Sequence, residues 1–326
     1  MVKKAMRAGI IPALFLSLPL PVLSEPKLAM PIDCALGESC FIQNYMDRDP
    51  GPGARDFTCA GLSYNDHKGT DFGLPSLAAM QAGVTVRAAA SGSVRGRRDG
   101  MIDKVYTPKE DARIDGRDCG NGVVLVHDDG WETQYCHMKK GTVHVRNGQM
   151  VDAGEPLGQV GLSGRTQFPH LHISVRRAGQ PVDPFTPDGD PDACGSGSAR
   201  AMWIDDILYQ PGAVLSAGFS TGVPEYAAIK AGTAAETDIA ADAPALVIWG
   251  YAFGGRQADV LSLRIDGPEG RFIDKRLLIK KDQAQFFRAT GKRLKAPLTR
   301  GIYRGTATLI RDGAEVSAQM VSITVQ

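Results

Sequence analysis

The sequence predicts an all-β chain, and three observations carry this. Glycine fills 38 of 326 positions, about 12% against a usual ~7%, which favours turns over helix packing. From residue 61 onward, short runs of apolar and β-branched residues alternate with turn residues. No long segment shows helical periodicity. The hydrophobic fraction is 43% and the charged fraction 22%, which suits packed cores rather than disorder. With 37 basic and 36 acidic residues, no basic excess points to nucleic acid as a partner.

Residues 1–24 read as a secretory signal peptide. Lys3, Lys4 and Arg7 precede an apolar stretch from Gly9 to Leu23, and Ser24 is a small residue suited to a cleavage site. The stretch falls short of the ~20 residues a span needs. Pro12, Pro19 and Pro21 also interrupt it, so no stable membrane anchor is expected after cleavage. The expected location is periplasmic or extracellular.

That compartment lets cysteines oxidise. Cys34 and Cys40 close a short local loop. Cys119 and Cys136 flank two strands joined at Asp128-Asp129-Gly130, a hairpin signal. Cys59 and Cys194 are the pair that remains. The chain has no C-x-x-C, so a cysteine metal site is not expected.

Five regions follow the signal peptide or fall within one another. Residues 25–60 are rich in Pro, Gly and Asp and predict an ordered extension rather than a core. Residues 61–185 carry the first set of strands. Within them, the charged stretch 95–118 predicts a long surface loop or lid. Residues 186–200 read as a linker. Residues 201–326 contain neither His nor Cys and alternate strand with turn, which predicts an immunoglobulin-like β-sandwich. In that region Trp249, Tyr251 and Phe253 alternate in a strand and are expected in the core and on the neighbouring surface rather than on a ligand platform.

All six histidines lie between 67 and 172. His170 and His172 flank Leu171 in HLHISV, so period two puts both imidazoles on one face of a strand. His67 and Asp71 are separated by Lys-Gly-Thr; in an extended conformation they share a face with Gly69 between them. Tyr135-Cys136-His137 ends another strand. Catalytic zinc sites use three protein ligands and leave a position open. His67, Asp71 and one H-x-H histidine make such a set, and the other histidine with His137 is left for proton handling. His127 and His144 read as structural, and Asp66 as a turn residue. Thr70 and Tyr135 read equally well as cleft lining or as packing.

The pieces HKGTDFGLP (67–75), VRAAASGSV (86–94), NGVVLVHDDGWETQYCHM (121–138), GQMVDAGEPLGQVGLSG (148–164) and PHLHISVR (169–176) occur in one order over about residues 60–185. In them the chain resembles the lysostaphin-type (LytM-like) zinc metallopeptidases, which cleave peptide cross-links in bacterial peptidoglycan. The resemblance implies a β-sheet peptidase domain with zinc held by His67, Asp71 and His172. It implies that His137 and His170 act on substrate and on water activated by zinc. Stem peptides of peptidoglycan are the implied partner. The alternatives are a non-catalytic relative that binds peptidoglycan or activates an amidase, and a peptidase for ordinary proteins. Some relatives cover the metal with an upstream segment; Asn44 and Asp47 are the residues placed to do so here, with a solvated loop the preferred reading. For the C-terminal domain, cell-wall binding, a protein partner and covering of the groove all stay open.

Overall fold

The computed structural model describes residues 1–2, 25–187, 189 and 201–326. Residues 3–24 of the expected signal segment, most of the expected linker and Cys194 lie outside the described residues. Among those described, no helix is long and apolar enough to cross a membrane.

The first half of the chain is built on an antiparallel sheet. Its strands are β1 (Phe41–Asn44), β2 (Thr70–Gly73), β4 (Gly92–Arg98), β5 (Asn121–Val126), β6 (Trp131–Met138), β7 (Met150–Val151), β9 (His170–Arg177) and β10 (Gln180–Val182). The spatial order is β1-β2-β9-β6-β5-β4-β7, with β10 also pairing β9. A two-stranded sheet, β3 (Thr85–Arg87) with β8 (Pro156–Gln159), packs beside it. The helices of this half are short: α1 (Leu77–Ala82) and α2 (Asp111–Ile114).

The core follows from strand alternation. Val123, Leu125, Thr133, Tyr135, Leu171, Ile173 and Val175 all point inward and are buried. Residues 25–60 depart from the expected extension. FIQN within them pairs with β2 as β1, and Leu28, Ile32, Phe41, Ile42, Tyr45 and Phe57 belong to the same core cluster. Their apolar positions are too sparse among Pro, Gly and Asp to show a period. The stretch 95–118 is also less loop-like than expected. It continues β4 and then forms α2. Its acids are spent locally: Asp103 accepts from the backbone N–H groups of Lys140 and Leu162, and Glu110 pairs with Lys104 and Arg113.

Tyr135 and Thr70 are packing residues rather than cleft lining, both fully buried. The Tyr135 hydroxyl accepts from the Ala89 N–H (2.7 Å) and from Thr133 Oγ1 (3.0 Å). Tyr135→Phe is expected to orphan that buried N–H and lower unfolding free energy by about 1–3 kcal/mol. Denaturant melts would show it; an unchanged midpoint would contradict it.

The second half is a sandwich of two sheets. The first has the order β11 (Ala213–Ser220), β13 (Ala245–Gly255), β16 (Gln283–Arg293). The second has β12 (Asp238–Ile239), β18 (Ala314–Val325), β17 (Gly301–Arg311), β14 (Val260–Gly267), β15 (Gly270–Leu278). Leu246, Ile248 and Ala252 meet Leu261, Leu263, Ala307 and Leu309 between the sheets. The other face of β13 carries Trp249 and Tyr251 against Ile229 of helix α3 (Tyr226–Ala231). Burial on both faces explains the unbroken apolar run ALVIWGYAF.

The two halves are joined by side chains from each. Phe253 packs against Phe41 with the rings tilted, centroids 4.6 Å apart. Gln285 Nε2 donates to Gln43 Oε1 (2.8 Å), and Gln43 Nε2 donates to the Ala284 carbonyl (3.2 Å). Two disulfides are described, Cys34–Cys40 and Cys119–Cys136. Both match the pairing read from the sequence.

Candidate metal centre

One row across the sheet gathers most of the site. Asn44 lies opposite Asp71, and Asp71 lies opposite His172. Directly opposed residues in antiparallel strands share a face. His170 sits two positions before His172 on β9, on that same face as its period requires. It lies opposite Gly73, where a Cβ would stand 2.8 Å from the Phe41 ring.

His67 reaches the row by a different path from the extended one expected. It precedes β2, after a turn in which Asp66 adopts φ 64° and the His67 N–H donates to the Tyr64 carbonyl. Gly69 then makes the close approach possible. A Cβ there would stand 2.4 Å from the Ile173 carbonyl oxygen and 2.7 Å from the His172 ring.

His137 is the strained member. It is the last residue but one of β6 and has φ 62°, a conformation rare for a residue with a Cβ and often found at functional sites. Strict alternation would place it inward with Tyr135. The left-handed backbone instead sets its ring 4.6 Å from that of His170.

His67 Nε2, Asp71 Oδ1 and His172 Nδ1 converge. The separations are 3.1 Å for His67–Asp71, 3.1 Å for His67–His172 and 2.8 Å for His172–Asp71. Among the described residues this is the group of acidic, histidine or cysteine side chains able to hold a metal ion. His170 Nε2 stands 3.4 Å from Asp71 Oδ1.

The outer partners decide which ring nitrogens face inward. His67 Nδ1–H donates to the Tyr45 carbonyl (2.7 Å), His137 Nδ1–H to the Ser163 carbonyl (2.8 Å) and His170 Nδ1–H to the Phe168 carbonyl (3.0 Å). A carbonyl only accepts, so in each neutral ring Nε2 is left as a lone pair. His172 Nε2 pairs with the Ser174 hydroxyl (2.9 Å). Asn44 Nδ2 donates to Asp71 Oδ2 (2.8 Å), leaving Oδ1 for the centre. With the Ser174 hydroxyl donating to His172 Nε2, His172 Nδ1 is also a lone pair, and the centre is ringed by acceptors at contact distance. Such a set is repulsive unless a proton or a cation sits among them, and it fits a divalent metal ion.

Charge balance agrees. Burial opposes ionisation of Asp71, yet the surrounding imidazoles hold its carboxyl well below the usual range. Burial likewise disfavours charge on His67, but the Asp71 carboxylate and the Tyr45 carbonyl outweigh it and raise its pKa. Burial and the neighbouring imidazoles push His137 well down, so that ring is neutral near pH 7. Burial also lowers His172.

His127 and His144 stand apart from the centre. His127 bridges the Ser91 carbonyl and the Thr133 hydroxyl, and His144 is exposed. Asp47 organises a turn by accepting from the N–H groups of Asp49, Arg55 and Asp66. Asn44, expected in a solvated loop, instead orients Asp71. The centre opens on a groove of about 690 Å³ whose lining includes Tyr64, Tyr106, Arg165 and Phe168. Phe168 stacks on His170 at 4.3 Å. No sequence pattern marked these four residues.

Residues 65–184 match the family model described as Peptidase family M23. The chain is 34% identical over 122 residues to the DD-carboxypeptidase/endopeptidase Mpg of Neisseria meningitidis serogroup B, covering 37% of this chain and 22% of that protein. It is 33% identical over 121 residues to the cell division protein DipM of Caulobacter vibrioides, covering 35% and 18%. A similar solved structure is the catalytic domain of the M23 protein EnpA from Enterococcus faecalis. It is 25% identical, with 44% of this chain and 92% of that chain covered and a TM-score of 0.30. The chain spans about a fifth of the length of the curated relatives it matches.

Proposed function

We propose, from the premise that residues 65–184 are a domain of peptidase family M23, that the chain is an exported zinc endopeptidase acting on peptide cross-links of bacterial peptidoglycan. The observation that carries this reading is the ring of inward lone pairs beside an open groove. His67, Asp71 and His172 would hold the metal. Ligands ~2.1 Å from zinc in a tetrahedron stand about 3.4 Å from one another, and the three atoms lie at 2.8–3.1 Å. Two imidazoles and one carboxylate leave a divalent ion with net positive charge.

Bound zinc supplies a Lewis acid that polarises a carbonyl and acidifies water. The residues do the rest. His137 and His170 each present an Nε2 lone pair toward the centre, held there by carbonyls at Nδ1. Either can take a proton and return it to the leaving amine. Asn44 fixes the Asp71 carboxylate, and partners of this kind are worth about 10–100-fold in metal affinity or activity. The two disulfides support an oxidising location. The non-catalytic alternative is disfavoured because all five positions are filled and converge.

Zinc binding and acid should oppose each other. In the metal-free protein the raised His67 pKa adds stability that is present below pH ~6.5 and lost as pH rises through the folded value. Metal needs the ring unprotonated, so the zinc-induced rise in Tm should grow from pH 5 to pH 8. At about 100 times Kd it corresponds to about 2.7 kcal/mol. A larger rise at pH 5 would contradict the ligand assignment.

The function is tested by digesting purified peptidoglycan with the zinc-loaded protein, with and without a chelator, and separating products by mass. Cross-linked dimers should disappear only without chelator. Dimers that persist in the zinc-loaded digest would overturn the reading.

A further inference from the structure

The groove that opens on the metal centre has a second wall from the other half of the chain. Tyr226 and Lys230 of α3 and the segment Lys281–Gln285 line the same cavity as Asp71, His137 and His170. This wall is fixed rather than draped. Gly232, just past α3, sits where a Cβ would stand 2.8 Å from Ser76 Oγ and 3.0 Å from the Ala78 side chain. The Gln43–Gln285 and Gln43–Ala284 hydrogen bonds pin the start of β16 to β1.

The charges of the groove sort into two kinds. Asp71 is taken up by the imidazoles and Asn44. Arg165 is paired with Asp111 and Asp118. Asp282 accepts from the Gln257 N–H and has no ion pair with any described residue, so two lysines face one free carboxylate and leave this wall net positive. Lys230 and Lys281 have no ion pair with any described residue; Lys230 only lies over the Tyr226 ring, 5.0 Å from its centroid. Lys230 also borders an adjoining hollow of about 150 Å³, lined mainly by apolar side chains that include Leu77, Phe168 and Pro169. An unpaired ammonium beside a small apolar hollow suits a peptide carboxylate next to a short alkyl side chain.

We propose that Lys230 and Lys281 recognise a free carboxylate on the substrate peptide, so that the C-terminal sandwich sets specificity for stem peptides whose carboxyl groups are not amidated. This rests on the peptidase reading for its substrate class.

The test uses the full chain loaded with zinc and two cross-linked muropeptides identical except that one has its free carboxyl groups amidated. The wild-type protein should show a KM about tenfold lower for the carboxylate form, the size expected of one charge-assisted contact in a solvated groove. The K230Q/K281Q variant should lose that preference through KM, with kcat unchanged. The K230R/K281R variant should keep it, and added salt should erode it. Equal discrimination by the wild-type and Gln proteins, or none in the wild type, would overturn the proposal. Calorimetric binding of a linear stem tetrapeptide and its amide needs no turnover. If neither cross-linked substrate is cut, the peptidase reading fails. The lysines are then judged by whether the carboxylate preference in binding is present and disappears in the Gln variant.

Discussion

Purified His172→Ala protein is expected to retain no stoichiometric zinc, whereas His170→Ala should retain one ion per chain and yet fail to turn over. The two imidazoles sit two residues apart on one strand face, so local disruption is similar in both variants. What differs is the atom each offers. His172 Nδ1 is within 3.1 Å of both His67 Nε2 and Asp71 Oδ1; His170 Nε2 is 3.4 Å from Asp71 alone. Losing the metal removes several kcal/mol of transition-state stabilisation, roughly a thousandfold or more in rate. Losing a proton-handling imidazole costs about 10²–10⁴-fold. Activity alone therefore separates the variants poorly, and metal analysis separates them well. Equal zinc loss in both would reject the division of roles.

Gly69→Ala is the second large effect expected, at a position outside the lining of the groove. The new methyl would stand 2.4 Å from the Ile173 carbonyl oxygen and 2.7 Å from His172. Neither is a flexible side-chain end: one is backbone in β9, the other a ring held by Asp71 and Ser174. The β2–β9 pairing must yield, which costs about 1–3 kcal/mol for overpacking. His172 would shift with it, and zinc affinity should fall by about 10–100-fold. Zinc titration with a competing chelator, alongside a thermal melt, measures both. Wild-type zinc affinity in this variant would show that the close approach does not govern the site.

How much of this was legible from residues follows the physics of each element. His170 and His172 were readable because a β-branched run fixes strand period, and period two fixes the shared face. The Asp128-Asp129-Gly130 turn was readable because its chemistry is local, and it placed Cys119 beside Cys136. Asp71 was readable as a partner of His67, although the route was not: a turn with a left-handed Asp66, not an extended run, delivers the imidazole. The φ of 62° at His137 had no local signal, since no Gly or Asn marks it; tertiary packing imposes it. Asn44 was read as solvated loop and the buried residues of 25–60 were missed because their pairing partner, β2, lies some 30 residues away and their own segment has no period. Lys230 and Lys281 were out of reach for the same reason. Their relevance comes only from how two separately patterned halves pack together.

The central claim is that His67, Asp71 and His172 grip one zinc ion and leave it open to the groove. Anomalous diffraction at the zinc edge from zinc-loaded crystals tests it most directly. The account predicts a single strong peak ~2.0–2.2 Å from His67 Nε2, Asp71 Oδ1 and His172 Nδ1, with the fourth position facing His137 and His170. A peak elsewhere, or a fourth protein side chain closing the tetrahedron, would contradict it.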